Sequence, residues 1–189
     1  MNTQEIQEAL LSIGWPIATD GVSGPKTKEA ILDFQAGFAF EALDQDGIAG
    51  PLTQAALTHC LDKDGRCSEF FQFVEFASKG NGWIKVNRNL AYALDQYRRL
   101  VDAPVGVVSG YRDPAHNQAA GGVSNSQHLY GTACDIPQVA TWQEVRGLNL
   151  FSGIGYVAAT GLVAHVDVRH AGPNTTTGGT PDAPTFWPY

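Results

Sequence analysis

Two copies of one turn constrain the first third of this chain more than anything else in it. Asp20-Gly21-Val22-Ser23-Gly24-Pro25-Lys26-Thr27 returns as Asp46-Gly47-Ile48-Ala49-Gly50-Pro51-Leu52-Thr53. In each copy Asp-Gly supplies a chain reversal. Gly-Pro then opens a helix, because proline is tolerated where the first helical N–H groups have no partner anyway. Before the first copy, Ile6, Ala9, Leu10 and Ile13 recur at helical spacing across Thr3 to Ile13. Gly14 ends that helix and Pro16 prevents its resumption. Between the copies, Ala30, Ile31, Phe34 and Phe38 form an apolar stripe, and after the second Thr53 to Leu61 makes a third, short helix. The pattern predicts a compact three-helix unit over residues 1–61 with an internal duplication.

The remaining two thirds of the chain has a different pattern. Residues 62–72 are polar and contain glycine, as expected of a linker, and a second unit is predicted over 73–189. Phe73-Val74-Glu75-Phe76 anchors its start, and Val86 to Leu100 has helical spacing in Leu90, Leu94 and Tyr97. Val105 to Val108 is expected as a short buried strand, and Trp142 to Leu150 as a helix. Gly153 to Val157 and Leu162 to Val168 are expected as antiparallel strands joined across Ala158 to Gly161. The tail from Gly172 is rich in Gly, Thr and Pro and is expected to wrap the surface, pinned by Phe186 and Trp187. The fold class is therefore α+β: a small three-helix unit, then an α+β unit with a small antiparallel sheet.

Charge and composition exclude some partners. The 189 residues carry a formal net charge of -7 and no Lys/Arg-rich run, so nucleic acid is not expected as a partner. No apolar run approaches the length of a membrane span, and Met1 to Glu5 shows no basic segment leading into an apolar core. Neither membrane insertion nor a signal peptide is expected. Cys60 and Cys67 flank a short polar loop and either pair, in an oxidising compartment, or stay as free thiols. Cys134 sits beside Asp135 and on a strand would face the other way, as apolar filler.

The chemistry concentrates in Ser124-Asn125-Ser126-Gln127-His128-Leu129-Tyr130-Gly131-Thr132-Ala133-Cys134-Asp135. His128 and Asp135 are too far apart for one helical face. A loop feeding a strand suits them, with Gly131 turning the backbone between two converging side chains. A third ligand is available in His165, inside the apolar run Gly161 to Arg169. Two imidazoles and a carboxylate make a hard-to-borderline metal site, for which zinc is the usual occupant. His59, His116 and His170 are expected outside it.

Two resemblances arise from these residues. Residues 3–58, with the duplicated turn and Phe34-Gln35, resemble the peptidoglycan-binding domain family. Ser126-x-His128-x-x-Gly131-x-Ala133-x-Asp135, with Ser109-Gly110-Tyr111-Arg112 upstream and His165-Val166-Asp167-Val168-Arg169 downstream, is similar to the zinc D-alanyl-D-alanine carboxypeptidases and related VanY-like peptidoglycan peptidases, over about Phe70 to Arg169. The resemblance implies one zinc held by His128, Asp135 and His165, with a position left open for water. It implies Arg112 as oxyanion stabiliser and substrate contact, and Ser126 as a hydrogen-bonding group for substrate or ligand. It implies bacterial peptidoglycan as substrate and partner. The chain departs from the pattern where many members carry an acidic base three residues before the last histidine: here that residue is Leu162, and Val163 replaces another frequent histidine. Strand parity puts Asp167 on the face of His165, and a catalytic role is expected for it, with a ligand-orienting role as the alternative. The whole is expected to be a monomeric wall-cutting enzyme of the phage endolysin type, of carboxypeptidase or endopeptidase action. The rival is a non-catalytic wall-binding protein with a structural metal site.

Overall fold

The computed structural model describes residues 1–173 and 178–189. Three helices come first: α1 (Thr3–Ile13), α2 (Pro25–Gly37) and α3 (Pro51–Asp62). A capping box closes the start of α1, with the Asn2 side chain accepting from Glu5 N and Glu5 reaching back to Asn2 N. Gly24 and Gly50 cap α2 and α3, each with proline directly after it. The duplication extends to a buried amide that the turn motif does not show. Gln7 Nε2 lies 2.9–3.0 Å from Asp20 Oδ1, Val22 O and Thr27 Oγ1, and its Oε1 accepts from Gly21 N. Gln35 repeats the arrangement with Asp46, Ile48 O, Thr53 and Gly47 N. Each glutamine therefore ties one helix to the turn that opens the next. Gly21 and Gly47 stand at φ 74° and 72°, which their turns require and which favours glycine.

The segment expected as a linker is instead packed. Cys67 and Phe71 are fully buried, and Ala39 N donates to Cys67 O at 2.8 Å. Asp95, on α4 (Arg88–Val101), accepts from Ser68 Oγ, Glu69 N and Phe70 N, which pins this segment from the other side. Phe73, opening a short 3-10 turn over Phe73–Phe76, meets Trp15 at 5.0 Å and Phe34 at 5.3 Å between ring centroids. One apolar core thus runs from the three-helix unit into the rest of the chain. Sequence polarity concealed this, because the polar residues here point outward or find buried partners. Cys60, Cys67 and Cys134 are buried free thiols, so the unpaired alternative holds.

The second part comprises α4, α5 (Pro114–Ala119), β1 (Ala133–Asp135), α6 (Trp142–Gly147), β2 (Gly153–Tyr156), β3 (Val163–Asp167) and β4 (Thr185–Pro188). The sheet order is β1-β3-β2-β4. β3 pairs antiparallel with both β1 and β2, while β4 pairs parallel with β2. The expected α+β class with a small, mainly antiparallel sheet is what is observed. Three local expectations change. Val105 to Val108 is not a strand; only a bridge from Ser109 to Asp135 forms there. The tail is not merely a wrap: Phe186 and Trp187 lie inside β4, and residues 174–177 of that tail lie outside the described residues. α6 is shorter than expected, and Asn149 at φ 54° turns the chain away.

Polar contacts cross between the two parts at Asp33. Trp83 Nε1 donates to Asp33 Oδ2 at 2.7 Å, and Lys85 Nζ lies 3.7 Å from the same oxygen. Burial pushes the Asp33 carboxyl from 3.8 up to about 6, with the Trp83 hydrogen bond and Lys85 charge opposing it. The folded chain thus holds this proton more tightly than the unfolded one, so stability from this group is present below pH 4 and is lost as pH rises to about 6. Asp33→Asn keeps an acceptor for Trp83 and is expected to add about 1–2 kcal/mol of stability near pH 7 and nothing near pH 4. Urea melts at both pH values read this directly; an equal effect at both would show that charge burial is not what limits the contact.

Candidate metal centre

The loop before β1 is built to present His128. Ser126 caps a 3-10 turn over Gln127–Tyr130, its side chain accepting from His128 N. Gly131 ends the turn at φ 67°, and a Cβ there would lie 2.7 Å from the Lys85 carbonyl carbon, so both conformation and space demand glycine. Thr132 Oγ1 then donates back to Gln127, and β1 begins. Cys134 is fully buried on the opposite face from Asp135, as strand parity predicts.

Register brings the third group in. Asp135 pairs directly with His165, so both side chains leave the same face of the sheet. Asp135 Oδ1 lies 2.9 Å from His165 Nδ1 and 3.3 Å from His128 Nε2, and the two imidazole nitrogens are 3.3 Å apart. Ligand atoms about 2.0–2.1 Å from a tetrahedral zinc are about 3.3 Å from one another, so the three donors fit that ion. The outer nitrogens fix the orientation: His128 Nδ1 meets Gly110 O at 2.7 Å, and His165 Nε2 faces Asp167 Oδ2 at 3.4 Å. Burial alone would raise the Asp135 carboxyl, but hydrogen bonds from both imidazoles hold it well below its usual value. Burial depresses His128, whereas Asp135 and Asp167 outweigh burial at His165 and raise it.

The supporting residues stand somewhat differently from expectation. Arg112 is turned onto the cluster itself: Nη2 donates to Asp135 Oδ2, Nε donates to Ser109 Oγ at 2.9 Å, and its backbone N donates to His128 O. It thereby occupies the second carboxylate oxygen and leaves Oδ1 for an ion. Ser126 lines the cleft above the cluster. Asp167 is held from two sides. It shares the face of His165 as parity predicted, but its side chain is fully buried behind the imidazole and gripped by Arg169. Arg169 donates from Nε to Oδ1 at 2.8 Å and from Nη2 to Oδ2 at 2.5 Å. Burial would raise this carboxyl, yet hydrogen bonds from Arg169 and His165 hold it down at about 2. These contacts are those of a group that orients His165, the alternative role expected for Asp167. His116 and His170 stand outside the cluster, bonded to Ser78 and Ser152.

Sequence reasoning passed over Arg169 as a partner and over two glycines. Gly153 pairs with Asp167 and Gly155 with His165 across the sheet. A Cβ on Gly153 would lie 2.1 Å from Asp167 Oδ2, and one on Gly155 would lie 2.6 Å from Tyr189 and 2.8 Å from Trp187. The alternating Gly-Ile-Gly of β2 was the available signal: glycines two apart clear one face of a strand. That face floors a cleft of about 860 Å³, walled by Val108, Val123, Ile136, Val157, Trp187 and Tyr189.

Comparison with known proteins agrees with this architecture. Residues 67–167 match the family described as Peptidase M15, and residues 2–57 match that described as putative peptidoglycan binding domain. The first match covers more than half of the chain, which therefore belongs to the Peptidase M15 family. It is also similar to the zinc D-Ala-D-Ala carboxypeptidase of Streptomyces albus G, with 35% identity over 135 residues, covering 65% of this chain and 51% of that protein. The chain spans about half the length of that curated relative.

Asp167→Asn keeps the volume but removes the charge that holds Arg169 and steadies His165. It is expected to weaken zinc binding about ten- to hundredfold, measured by competition with a chromogenic chelator. Unchanged affinity would show that His165 needs no such support.

Proposed function

We propose that this chain is a zinc-dependent peptidase of bacterial peptidoglycan, cutting a peptide bond of the stem peptides or cross-links with carboxypeptidase or endopeptidase action. The observation that carries the reading is the trio His128 Nε2, Asp135 Oδ1 and His165 Nδ1, converging at tetrahedral spacing on the floor of an open cleft. Among the described residues the group has three protein donors and not four, which is the composition of catalytic rather than structural zinc sites. One zinc bound there would activate water at neutral pH and polarise the scissile carbonyl. Arg112 keeps Asp135 in place and contributes positive charge on the cleft wall; Ser126 offers its hydroxyl at the rim. Asp167 and Arg169 hold the His165 ring so that Nδ1 faces the cleft.

In this reading residues 1–61 anchor the protein on the wall and residues 73–189 carry the peptidase, with 62–72 as a packed seam between them. The family match of residues 2–57 and the zinc carboxypeptidase relative support it. No helix among the described residues is long and apolar enough to cross a membrane. The proposed setting is the bacterial cell wall or periplasm, reached as a phage endolysin is at host lysis.

Digestion of purified muropeptides, with and without a chelator, tests the proposal. Mass spectra are expected to show loss of D-alanine or separation of cross-linked stems, abolished by chelation and restored by zinc. Muropeptides left intact by the zinc-loaded protein, with wall binding retained, would leave only a wall-binding protein.

A further inference from the structure

The sheet register carries one more conclusion, and it concerns β4. Asp135, His165, Gly155 and Trp187 form a single row across all four strands. Directly paired residues share a face, so Trp187 stands on the metal-ligand side. Gly155 has no side chain, and Trp187 leans across the vacant position. Its ring comes to 5.1 Å from His165 and 5.3 Å from the Arg169 guanidinium. Tyr189, two residues on, shares that face and meets Trp187 edge-on at 6.4 Å. Both line the cleft, and Tyr189 is 62% exposed.

We infer that Trp187 and Tyr189 form an aromatic subsite for an uncharged, short-side-chain residue of the substrate peptide, next to the bond that lies over the three metal ligands. This rests on the peptidase reading above. The cleft's charges point to a neutral occupant: Arg112 is engaged by Asp135 and Arg169 by Asp167. Val108, Val123 and Val157 add short aliphatic groups to the lining of the same cleft. Aromatic rings in a cleft that also carries short aliphatic groups suit a residue with a small apolar side chain, such as D-alanine, whose methyl and backbone can lie against the rings. The parallel strand places this wall within one residue row of His165, so contact with the subsite and position over the ligands are set together.

The test uses the full chain, with an acylated peptide ending in D-alanyl-D-alanine as probe. In the zinc-loaded protein, Trp187→Ala is expected to raise KM about tenfold with kcat within about threefold and zinc affinity unchanged, and Trp187→Phe to restore most of the loss. Tyr189→Ala, at an exposed position, is expected to shift KM the same way. An unchanged KM in both alanine variants, or a loss that follows zinc content, overturns the subsite. A second readout does not depend on turnover. The Trp187 indole N–H resonance, identified by its disappearance in Trp187→Phe, is expected to shift saturably when the peptide is added to metal-free protein. If wild type cuts no such peptide while the resonance shifts, the peptidase reading fails and the subsite stands; a resonance that does not move overturns the subsite.

Discussion

The register between β1 and β3 is the constraint on which the site depends. Asp135 and His165 are thirty residues apart in the chain, and they meet because they are opposite one another in the ladder. A slip of one residue would send one of the two to the far face and leave no site. β1 has only three residues, too few to hold register through its own ladder. The surrounding contacts do that work. Ser109 bridges Asp135 from outside the sheet, Val168 N donates to Thr132 O, and Ile136 N donates to Ala164 O. Gly131 admits the Lys85 backbone, and Asn87 N donates to Gly131 O at 2.8 Å, so the His128 loop is moored to the segment that leads into α4.

That mooring links the site to the first three helices. The segment from Trp83 to Asn87 touches the His128 loop at one end and Asp33 of α2 at the other. Phe73 and Val86 fill the space above Gly37, where a Cβ would come within 2.7 Å of both. A binding unit attached by a loose tether would raise only the local concentration of its partner domain. Here the helical unit is fused through a shared aromatic core, which sets its orientation to the cleft as well.

The electrostatics of the centre are layered. Nearest the proposed ion are three donors; each is held by a partner that uses its remaining polar atom, Gly110 O for His128, Arg112 for Asp135, Asp167 for His165. Arg169 then holds Asp167. Two acids flank the His165 ring and each is paired with its own guanidinium, which lets charged groups sit in a largely buried place. Gly153 is what makes room for the outer pair, so a residue with no side chain is as necessary to the arrangement as the charged ones.

Much of this was legible in the chain itself. The duplicated turn, the helix starts and the three donors that converge could be read because they rest on local chemistry: proline and glycine at special backbone positions, and a spaced motif whose members need specific atoms. The glutamine ties were half visible, since Gln35 stood in a motif and its twin Gln7 did not. Parity correctly put Asp167 beside His165, yet a shared face does not say which neighbour claims the carboxylate, and only folding showed Arg169 there. The packed seam at 62–72 and the entry of the tail into the sheet as β4 were likewise decided in three dimensions. Both depend on pairing between distant segments, and such pairing is specified by the space that other elements leave open. Residue type and spacing settled which atoms could bind a metal; the sheet register and two glycines settled which atoms surround it.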